Sequence, residues 1–416
     1  MKELSVVYRG FGESIPLGTL ADDGTHVLFQ YSPQALEQRL DLSPLRAPLR
    51  PTAYPDRRGE YHHLHDVPGL VYDSLPDGWG FRLMHRRMRA RGLDPDHLST
   101  LDHLAYLGEN TMGALAYLPP RSELDNSHEL NLWQVADEVS AVLHDDGHAV
   151  LAELARVGGS PGGARPKAQM YFDPKTLALS TQSSQVPGGE AWLIKFAGAD
   201  DAADSCALEA LYAQMAGHCA LGMTATHLFE LPGGGLAFGT QRFDRRGSTR
   251  VHVHSLAGLL HADFRVPSVS YEDFFRVTRR LTRDQRELVK AFKVCVFNVL
   301  MNNRDDHAKN LSFIREADGR WLLAPPYDLT YDAGYRGEHF MDVAGEGKAV
   351  HRAHVIAAAT QAGLPSHVAR RALDEMLAQA SPSRLLQLAQ DLPLGKATIT
   401  VVHQALSAHH ARLSKT

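Results

Sequence analysis

The sequence predicts an α+β fold with a β-rich first part and a helical second part. Up to about residue 250, short runs of β-branched and aromatic residues alternate with Gly- and Pro-rich turns. After that point the long segment 271–303 follows helical periodicity, and its last turns are apolar on most faces. A strand-like stretch, "EAWLIKFAG" (190–198), carries one lysine between these two parts.

The individual elements support this order. Residues 1–30 read as short strands, and the segment 75–92 as a turn followed by a helix. We predict a strand in 108–120, a helix in 131–145 and an amphipathic helix in 206–222. We expect one hairpin in 225–246 and a second in 311–328, around an Asp-Gly turn. The tail, 350–415, reads as helices.

Length and composition indicate a globular protein of more than one domain. The chain has 416 residues, of which 44% are hydrophobic and 22% charged. The polar stretch 119–129 predicts a boundary, so we expect an N-terminal subdomain (1–125), a β-rich lobe (126–245) and a helical lobe (246–416). The net charge of −5 gives no overall nucleic-acid signature.

The cysteines and the hydropathy pattern favour a cytoplasmic protein without membrane contact. Cys206, Cys219 and Cys295 are odd in number and widely spaced, so the pattern predicts neither a disulfide framework nor a CxxC metal site. The first residues lack the apolar core of a signal peptide, and no run approaches the ~20 apolar residues of a membrane span.

The segment "NNRDDHAKNLSF" (302–313) has the spacing of a phosphotransferase catalytic loop. Asp305 and Asn310 are five positions apart, as are the base and the metal-binding Asn of protein kinases. The hairpin that follows returns Asp328, which would be a second Mg²⁺ ligand. The D-x-x-x-x-N pattern alone also fits a solvated helix end, but the order of elements favours a catalytic loop.

Two further features point to phosphate binding. Lys195 lies among apolar residues of a strand, where its burial is costly unless it meets an anion, although a lysine at a sheet edge is the alternative. Glu209, in the next helix, would orient it by ion pairing. The loop "GGSPGGARPKA" (158–168) has four glycines in six positions and ends in Arg165 and Lys167. It is neither a Walker A loop nor G-x-G-x-x-G, and a flexible surface turn is its alternative.

Taken together, Ser160–Lys167, Lys195, "QRFDRR" and "NNRDDHAKNLSF…PPYDLTYD" resemble the HipA family of serine/threonine kinases, toxins of bacterial type II toxin–antitoxin pairs. The stretches "LPDGWG" and "GENTMGAL" are similar to that family's small N-terminal subdomain. The resemblance covers nearly the whole chain. It implies a two-lobed, protein-kinase-like fold with a β-rich N-lobe, an added N-terminal subdomain and a helical C-lobe.

The resemblance also implies ATP and Mg²⁺ as cofactors and assigns roles to single residues. Asp305 would be the catalytic base, and Lys309 would neutralise the transferred phosphoryl group. Asn310 and Asp328 would hold Mg²⁺. Residues that would contact ATP lie on the glycine-rich loop, the strands and the hinge: Gly162, Gly163, Ala164, Lys167, Lys195, Glu209, Gln241 and Phe243. Ser160 would be the site of inhibitory autophosphorylation.

Asp306 departs from the eukaryotic kinase pattern, since it adds a carboxylate directly after the expected base. Metal binding and a raised pKa of the base through like-charge repulsion are two alternatives, and we favour a capping role. We expect His307 to be a structural hydrogen-bonding residue rather than a catalyst.

The family implies two protein partners, an aminoacyl-tRNA synthetase as substrate and a helix-turn-helix, HipB-like antitoxin, with DNA bound only through the antitoxin. Three alternatives stay open at this point. The chain could be a co-repressor with weak catalysis, or a small-molecule kinase of aminoglycoside type. It could also be a metal-dependent hydrolase, with His62, His63 and His65 as ligands.

Overall fold

The computed structural model describes residues 1–55, 57, 59–120, 129–144, 152–159 and 163–415. The chain divides into two compact units. Unit 1 comprises Met1–Ala202, Phe229–His254 and Gly258–His261, and unit 2 comprises Ala203–Leu228, Ser255–Ala257 and Ala262–Thr416. The sequence-predicted roles of Ser160 and Gly162 fall on positions outside the described residues.

The strands up to residue 255 are β1 (Lys2–Tyr8), β2 (Ile15–Asp22), β3 (Val27–Tyr31), β4 (Leu115–Leu118), β5 (Lys167–Asp173), β6 (Ala178–Ser180), β7 (Glu190–Phe196), β8 (Thr226–Glu230), β9 (Leu236–Gln241), β10 (Arg245–Arg246), β11 (Thr249–Arg250) and β12 (His252–Ser255). Unit 2 adds β13 (Ser312–Arg315) and β14 (Trp321–Leu323).

The helices up to residue 158 are α1 (Pro33–Glu37), α2 (Gly69–Tyr72), α3 (Gly78–Ala90), α4 (Thr100–Leu107), α5 (Leu132–Leu143) and α6 (Ala152–Gly158). The later helices are α7 (Ser205–His218), α8 (Leu256–Leu260), α9 (Tyr271–Thr282), α10 (Gln285–Leu300), α11 (Arg352–Gln361), α12 (Ser366–Gln379), α13 (Pro382–Ala389) and α14 (Lys396–Ser414).

Unit 1 is built on two antiparallel sheets. The first has the strand order β3-β2-β1-β4, and its strands alternate buried and exposed residues because one face packs on the core. The second has the order β6-β5-β7-β9-β8, and the last two residues of β8 belong to unit 1. Trp192 of β7 and Phe172 of β5 meet edge to face beneath it, with ring centroids 5.0 Å apart. Helices α3, α5 and α6 contribute to the same apolar core.

Unit 2 is mainly helical. Helix α9 begins at a capping box formed by Ser270 and Asp273, and it ends where Arg283 adopts a positive φ of 54°. Asp284 then caps α10 by accepting a hydrogen bond from the backbone of Arg286. Helix α10 is buried on most faces and packs against α9, α12 and α14. It is therefore the central helix of this unit.

The predicted α+β, kinase-like fold class is confirmed, with differences in detail. The predicted strand within 108–120 is limited to β4, since residues 108–114 form a loop held by arginine side chains. The helix predicted in 206–222 ends at His218. It is not amphipathic as expected, because residues on most of its faces are buried. The long helical segment is divided into α9 and α10 by the turn at Arg283.

Candidate active site

The candidate catalytic loop begins where helix α10 ends. Asn302 follows with a positive φ of 53°, a conformation that Asn tolerates better than most residues. Its side chain is held at both ends. Nδ2 donates to the carbonyl of Asp332 at 2.9 Å, and Oδ1 accepts a hydrogen bond from Nε2 of His409 at 2.9 Å. The chain therefore leaves the helix in a fixed direction.

Asp305 and Asn310 lie at the two ends of this loop. The Asp305 side chain is 52% exposed, which allows it to meet a substrate. Asn310 Nδ2 donates to the Asp305 carbonyl at 2.8 Å and so closes the loop. That bond uses the amide nitrogen, leaving the amide oxygen of Asn310 as a suitable Mg²⁺ ligand. His307 Nε2 lies 3.6 Å from Asp305 Oδ1, close enough to help orient the carboxylate.

Asp306 is an anchor for the loop and faces away from solvent. Its carboxylate accepts hydrogen bonds from Tyr271 Oη at 2.7 Å, His339 Nδ1 at 2.8 Å and the Phe340 backbone at 2.8 Å. With 1% of its surface exposed, it has no access to a bound nucleotide or substrate. This arrangement agrees with the capping interpretation and leaves no room for a metal-binding one.

A chain of buried amides extends this anchor into helix α10. Asn298 Nδ2 donates to Tyr271 Oη at 2.9 Å, and Asn303 Nδ2 donates to Asn298 Oδ1 at 3.0 Å. Burial raises the pKa of Tyr271 well above its usual range, and the charge of Asp306 raises it further, so the phenol stays protonated as the donor to Asp306. The polar residues that end the apolar helix thus hold the loop in the core.

The hairpin β13–β14 delivers the second proposed metal ligand. Glu287 of α10 accepts a hydrogen bond from the Leu323 backbone at 2.8 Å and fixes the hairpin to the helix. Tyr327 Oη donates to the Lys309 carbonyl at 2.7 Å, which ties the residue before Asp328 to the catalytic loop. Asp328 itself has a positive φ of 56°. Asn310 and Asp328 offer amide and carboxylate oxygens, the donor types that Mg²⁺ prefers.

Lys309 lies beside an aromatic ring. Its Nζ is 5.0 Å from the ring centroid of Phe264, a cation–π distance. The Phe264 ring is also 5.2 Å from that of His307, which in turn lies 5.8 Å from Phe340. His307 thus packs between two phenylalanines, in keeping with the structural role expected for it.

In unit 1, two lysines occupy neighbouring positions of the sheet. Lys167 of β5 and Lys195 of β7 are direct partners in the antiparallel register, so their side chains leave the same face. Both are buried, with 3% and 6% of their surface exposed. Positive charges at opposed positions on one face of a sheet make this face suited to a negatively charged ligand. Lys195 is therefore paired with Lys167, whereas the two lysines were treated separately from the sequence.

The end of the glycine-rich loop lies directly on Lys167. Gly163 has a φ of +95°, and a methyl group added to it would lie 2.4 Å from Lys167 Nζ. Ala164 follows at the surface and packs near Gly78. Arg165 Nε forms an ion pair with Asp201 at 3.1 Å. The glycine permits the close approach between loop and ammonium group.

The start of helix α3 supports this loop. This support was not predicted from the sequence. Asp77 accepts a hydrogen bond from the Gly163 backbone at 2.9 Å, and the Trp79 backbone donates to the Gly163 carbonyl at 3.3 Å. Trp79 Nε1 donates to the Lys167 carbonyl at 3.0 Å. The stretch "LPDGWG" was the available signal, but its spacing from the loop in sequence gives no hint of this contact.

The predicted hinge follows strand β9. Gln241 donates a hydrogen bond to Glu190, and the Arg242 backbone donates to Ala191 at 2.9 Å. Phe243 is half-buried. The strand therefore continues its pairing with β7 up to the hinge, while the predicted contacts of Gln241 and Phe243 with adenine stay predictions.

A buried carboxylate beyond the hinge gathers arginines. Asp244 accepts from Arg242 Nη2 at 2.8 Å, from Arg245 Nη1 at 2.7 Å and from the Gly113 backbone at 2.7 Å. Burial raises the pKa of Asp244, but the charges of Arg242 and Arg245 outweigh burial and hold that pKa well below its ordinary value. Arg250 donates to the carbonyls of Gly113 and Leu115. The stretch "GENTMGAL" is thus a structural partner of "QRFDRR".

Glu209 is buried in helix α7, with 5% of its surface exposed. It belongs to unit 2, whereas Lys195 belongs to unit 1. The ion pair between them stays a prediction.

The histidines proposed for a hydrolase have other partners. His63 Nε2 bonds to the carbonyl of His261 at 2.7 Å, and the His65 ring stacks on Tyr72 with centroids 5.9 Å apart. Among the described residues, no group of three or more His, Cys, Asp or Glu side chains converges as a metal site. The same part of the chain contains no helix that is both long and apolar enough to span a bilayer.

Unit 1 also contains a Ser–His–Asp arrangement. Ser43 Oγ lies 2.9 Å from His254 Nε2, and His254 Nδ1 lies 2.5 Å from Asp73 Oδ2. This is the connectivity of a hydrolase triad. Ser43 and His254 have no exposed surface, however, so no substrate reaches the hydroxyl. The three residues instead join a loop, helix α2 and strand β12.

Comparison with known proteins assigns the chain to a family. The family model of the HipA-like C-terminal domain matches residues 159–383, and that of the HipA N-terminal domain matches residues 11–118. No curated protein sequence matches the chain.

A solved structure with a HipA fold is similar to this chain. HipA of Shewanella oneidensis MR-1, solved with HipB and operator DNA of that toxin–antitoxin system, matches with a TM-score of 0.71 at 18% identity, over 98% of this chain and 96% of that one. The proinflammatory kinase CtkA of Helicobacter pylori matches with a TM-score of 0.40 at 12% identity, over 54% of this chain and 88% of that one.

Proposed function

The chain belongs to the HipA family, and we propose from this premise that it is an ATP- and Mg²⁺-dependent protein serine/threonine kinase. The observation that carries the proposal is the loop geometry of unit 2. An exposed Asp305 stands on a loop closed by Asn310 and anchored by the buried Asp306. Such a rigid support keeps a catalytic carboxylate in position without using the carboxylate itself.

In this reaction Asp305 accepts the proton of a serine or threonine hydroxyl as its oxygen bonds to the γ-phosphorus of ATP. The bond from that phosphorus to the β–γ bridging oxygen breaks, and ADP leaves. Asn310 and Asp328 would hold Mg²⁺, which neutralises charge on the phosphates. Lys309 would stabilise the transferred group, and the Phe264 ring limits where its ammonium group can lie.

Unit 1 would bind the nucleotide. Lys167 and Lys195 offer paired positive charge to its phosphates, with Gly162, Gly163 and Ala164 covering them. Gln241 and Phe243 would contact adenine, and Glu209 would orient Lys195. The proposed boundaries are the N-terminal subdomain (1–125), the nucleotide-binding lobe (126–245) and the catalytic lobe (246–416).

Intact-mass spectrometry before and after incubation with Mg-ATP tests the proposal. We expect the wild type to gain a phosphate on Ser160, and we expect Asp305→Ala to gain none. Phosphate on Ser160 adds about −1.5 to −2 charges and would repel ATP, which would silence the enzyme. If an initially unmodified wild type binds no ATP, the kinase assignment is wrong.

We further propose that the chain is the toxin of a toxin–antitoxin pair. The support is its family and its structural similarity to a HipA solved with HipB and operator DNA. Its partner would be a HipB-like, helix-turn-helix antitoxin, and DNA would be bound through that partner. Its substrate would be a translation component such as an aminoacyl-tRNA synthetase. Co-expression with a HipB-like antitoxin should restore growth that the chain alone arrests.

The alternative function is an antitoxin-bound co-repressor with weak catalysis. Asp305→Ala distinguishes the two. As a kinase toxin, the variant should no longer arrest growth. As a co-repressor, it should repress the operator as well as the wild type and differ little in its effect on growth.

A further inference from the structure

A group of positive charges lies behind the catalytic loop in unit 2. A methyl group added to Gly337 would lie 3.1 Å from Arg304 Nη1 and 3.6 Å from Lys348 Cε, so both cationic side chains border this glycine. Arg412 of α14 reaches the same loop, because its Nη1 donates to His409 Nδ1 at 3.4 Å and His409 Nε2 bonds to Asn302, two residues before Arg304. Arg304, Lys348 and Arg412 therefore form one cluster, here called the cation cluster.

The acceptors that the described structure places at hydrogen-bond distance from the guanidinium groups of the cation cluster are neutral. In the described part of the chain, none of the three forms an ion pair with a carboxylate. Arg304 Nη1 donates to the carbonyl of Ala333 at 3.2 Å, and Arg412 Nη1 donates to His409 Nδ1 at 3.4 Å. These are neutral acceptors. Three like charges held together by neutral groups repel one another.

Two buried nitrogens near the cluster also lack partners. Arg304 Nε and His339 Nε2 are each buried and make no hydrogen bond. A guanidinium N–H that is buried without an acceptor carries a free-energy cost, and such groups call for an unseen partner. Arg304 therefore combines a charge that forms no ion pair among the described residues with a buried N–H that has no acceptor.

The nearby carboxylates are already engaged. Asp306 accepts three hydrogen bonds from Tyr271, His339 and the Phe340 backbone. Asp332 Oδ1 accepts one from the Gly334 backbone at 2.7 Å. Both act on Arg304 from a distance without an ion pair. Neither Asp306 nor Asp332 is thus the missing partner of Arg304 in this arrangement.

We propose that the cation cluster binds a phosphate-class oxyanion, supplied either as the phosphorylated side chain of a protein or as a free phosphate. Guanidinium groups favour phosphate because their planar N–H groups match its oxygens, and a lysine adds a point charge. The anion would join the catalytic loop at Arg304 to the segment 333–348, which follows Asp328. Any effect on phosphoryl transfer rests on the proposed kinase function, whereas binding does not.

Calorimetric titration of the full chain tests this inference, with inorganic phosphate and with a phosphoserine peptide as probes, beside the same peptide unphosphorylated. We expect saturable binding of a phosphate-bearing probe only. Lys348→Ala and Arg412→Ala should each weaken it about tenfold, because each removes a charge-assisted contact. Lys396→Ala, an exposed lysine at the other end of α14, is the matched control and should bind as the wild type. Lys348→Arg should restore affinity to within about twofold of the wild type.

Tighter binding of the peptide than of phosphate identifies a phosphorylated protein side chain as the source, and equal binding identifies free phosphate. The inference is wrong if neither probe binds saturably, or if the two alanine variants bind as well as Lys396→Ala. Lys348 is exposed and its removal leaves no buried donor, so this variant remains informative if Arg412→Ala unfolds. Because no ATP is present, failure here is separate from failure of the kinase proposal.

Discussion

The catalytic loop of unit 2 and the glycine-rich loop of unit 1 are supported in opposite ways. Side chains hold the catalytic loop from behind, through Asp306, Asn302 and their buried partners. The glycine-rich loop is held through the backbone of Gly163, whose N–H donates to the Asp77 carboxylate and whose carbonyl accepts from the Trp79 N–H, and the absence of a side chain there permits the approach of Lys167. The first arrangement fixes the loop that carries Asp305, the proposed base, while the second fixes the backbone at Gly163. Substitutions should therefore act on stability in one loop and on nucleotide binding in the other.

The largest contrast is expected between two adjacent residues. Asp305→Ala should lower the phosphorylation rate by about 10³-fold, since a general base typically contributes 10²–10⁴, and should change the free energy of unfolding by less than about 0.5 kcal/mol. Asp306→Ala should lower that free energy by about 3 kcal/mol or more, because three buried donors lose their acceptor. Urea denaturation and a phosphate-transfer assay measure both. Equal stability of the two variants would contradict the anchor role.

A histidine at the end of the network predicts acid sensitivity. Burial lowers the pKa of His409 to about 4, helped by the charges of Arg412 and Arg304. The unfolded chain binds a proton at this histidine below its ordinary pKa of about 6.5, whereas the folded chain does not until about pH 4. The contribution of His409 to the free energy of unfolding is therefore fully present above about pH 6.5 and is lost as the pH falls towards 4.

His409→Gln should flatten this decline. Glutamine keeps a donor for Asn302 but does not titrate. Between pH 7.5 and pH 5, the free energy of unfolding should therefore fall by about 1–2 kcal/mol less in the variant than in the wild type. Urea denaturation at both pH values measures this difference. His97→Gln is the control, because its side chain is 84% exposed. The same pH dependence in all three proteins would remove His409 from the explanation.

The glycine-rich loop should respond to one methyl group. Gly163→Ala places a carbon 2.4 Å from Lys167 Nζ at a φ of +95°, so the ammonium group or the loop must shift. We expect the KM for ATP to rise about tenfold, with a stability loss of about 1 kcal/mol. In Gly217→Ala the added methyl group meets no atom within 4 Å, and that helical site should gain about 0.5–1 kcal/mol. An unchanged KM in Gly163→Ala would separate this loop from nucleotide binding.

The smallest expected effect concerns the support from helix α3. Asp77→Ala removes the acceptor of the Gly163 backbone, and the KM for ATP should rise about threefold, as expected for a net loss of about 0.7 kcal/mol. Asp77→Asn keeps an acceptor oxygen and should lie closer to the wild type. Steady-state kinetics at varied ATP decides this. A larger effect of Asn than of Ala would mean that charge at this position, and not the hydrogen bond, is what matters.

Local spacing was enough to predict the candidate site residues, whereas the residues that support them could not be predicted. Asp305, Asn310 and Asp328 lie within one helix–loop–hairpin segment, so their order in sequence already restricts their arrangement. The partners of Asp306 come from positions 271, 339 and 340, and no local pattern relates them to the loop. The same holds for Asp77 and Gly163, which are 86 residues apart.

The fold class was predictable because strand and helix periodicities change near residue 250. The amphipathic pattern expected for α7 was wrong, since periodicity in sequence cannot tell how many neighbours cover a helix. Residues 108–114 were mistaken for part of a strand because the carbonyls of Thr111 and Gly113 bond to the side chains of Arg245 and Arg250 instead of a neighbouring strand. In each case a distant part of the chain decided the outcome.

The hydrogen bond between Asn302 and His409 joins residues 107 positions apart. During translation, the ribosome completes the catalytic loop long before it adds the helix that carries His409. A growing chain therefore contains every residue of the proposed phosphotransfer loop without the contact that fixes its first turn. This contact can form only after the chain has grown from Asn302 to His409, and until then the first turn of the loop lacks the bond that holds Asn302.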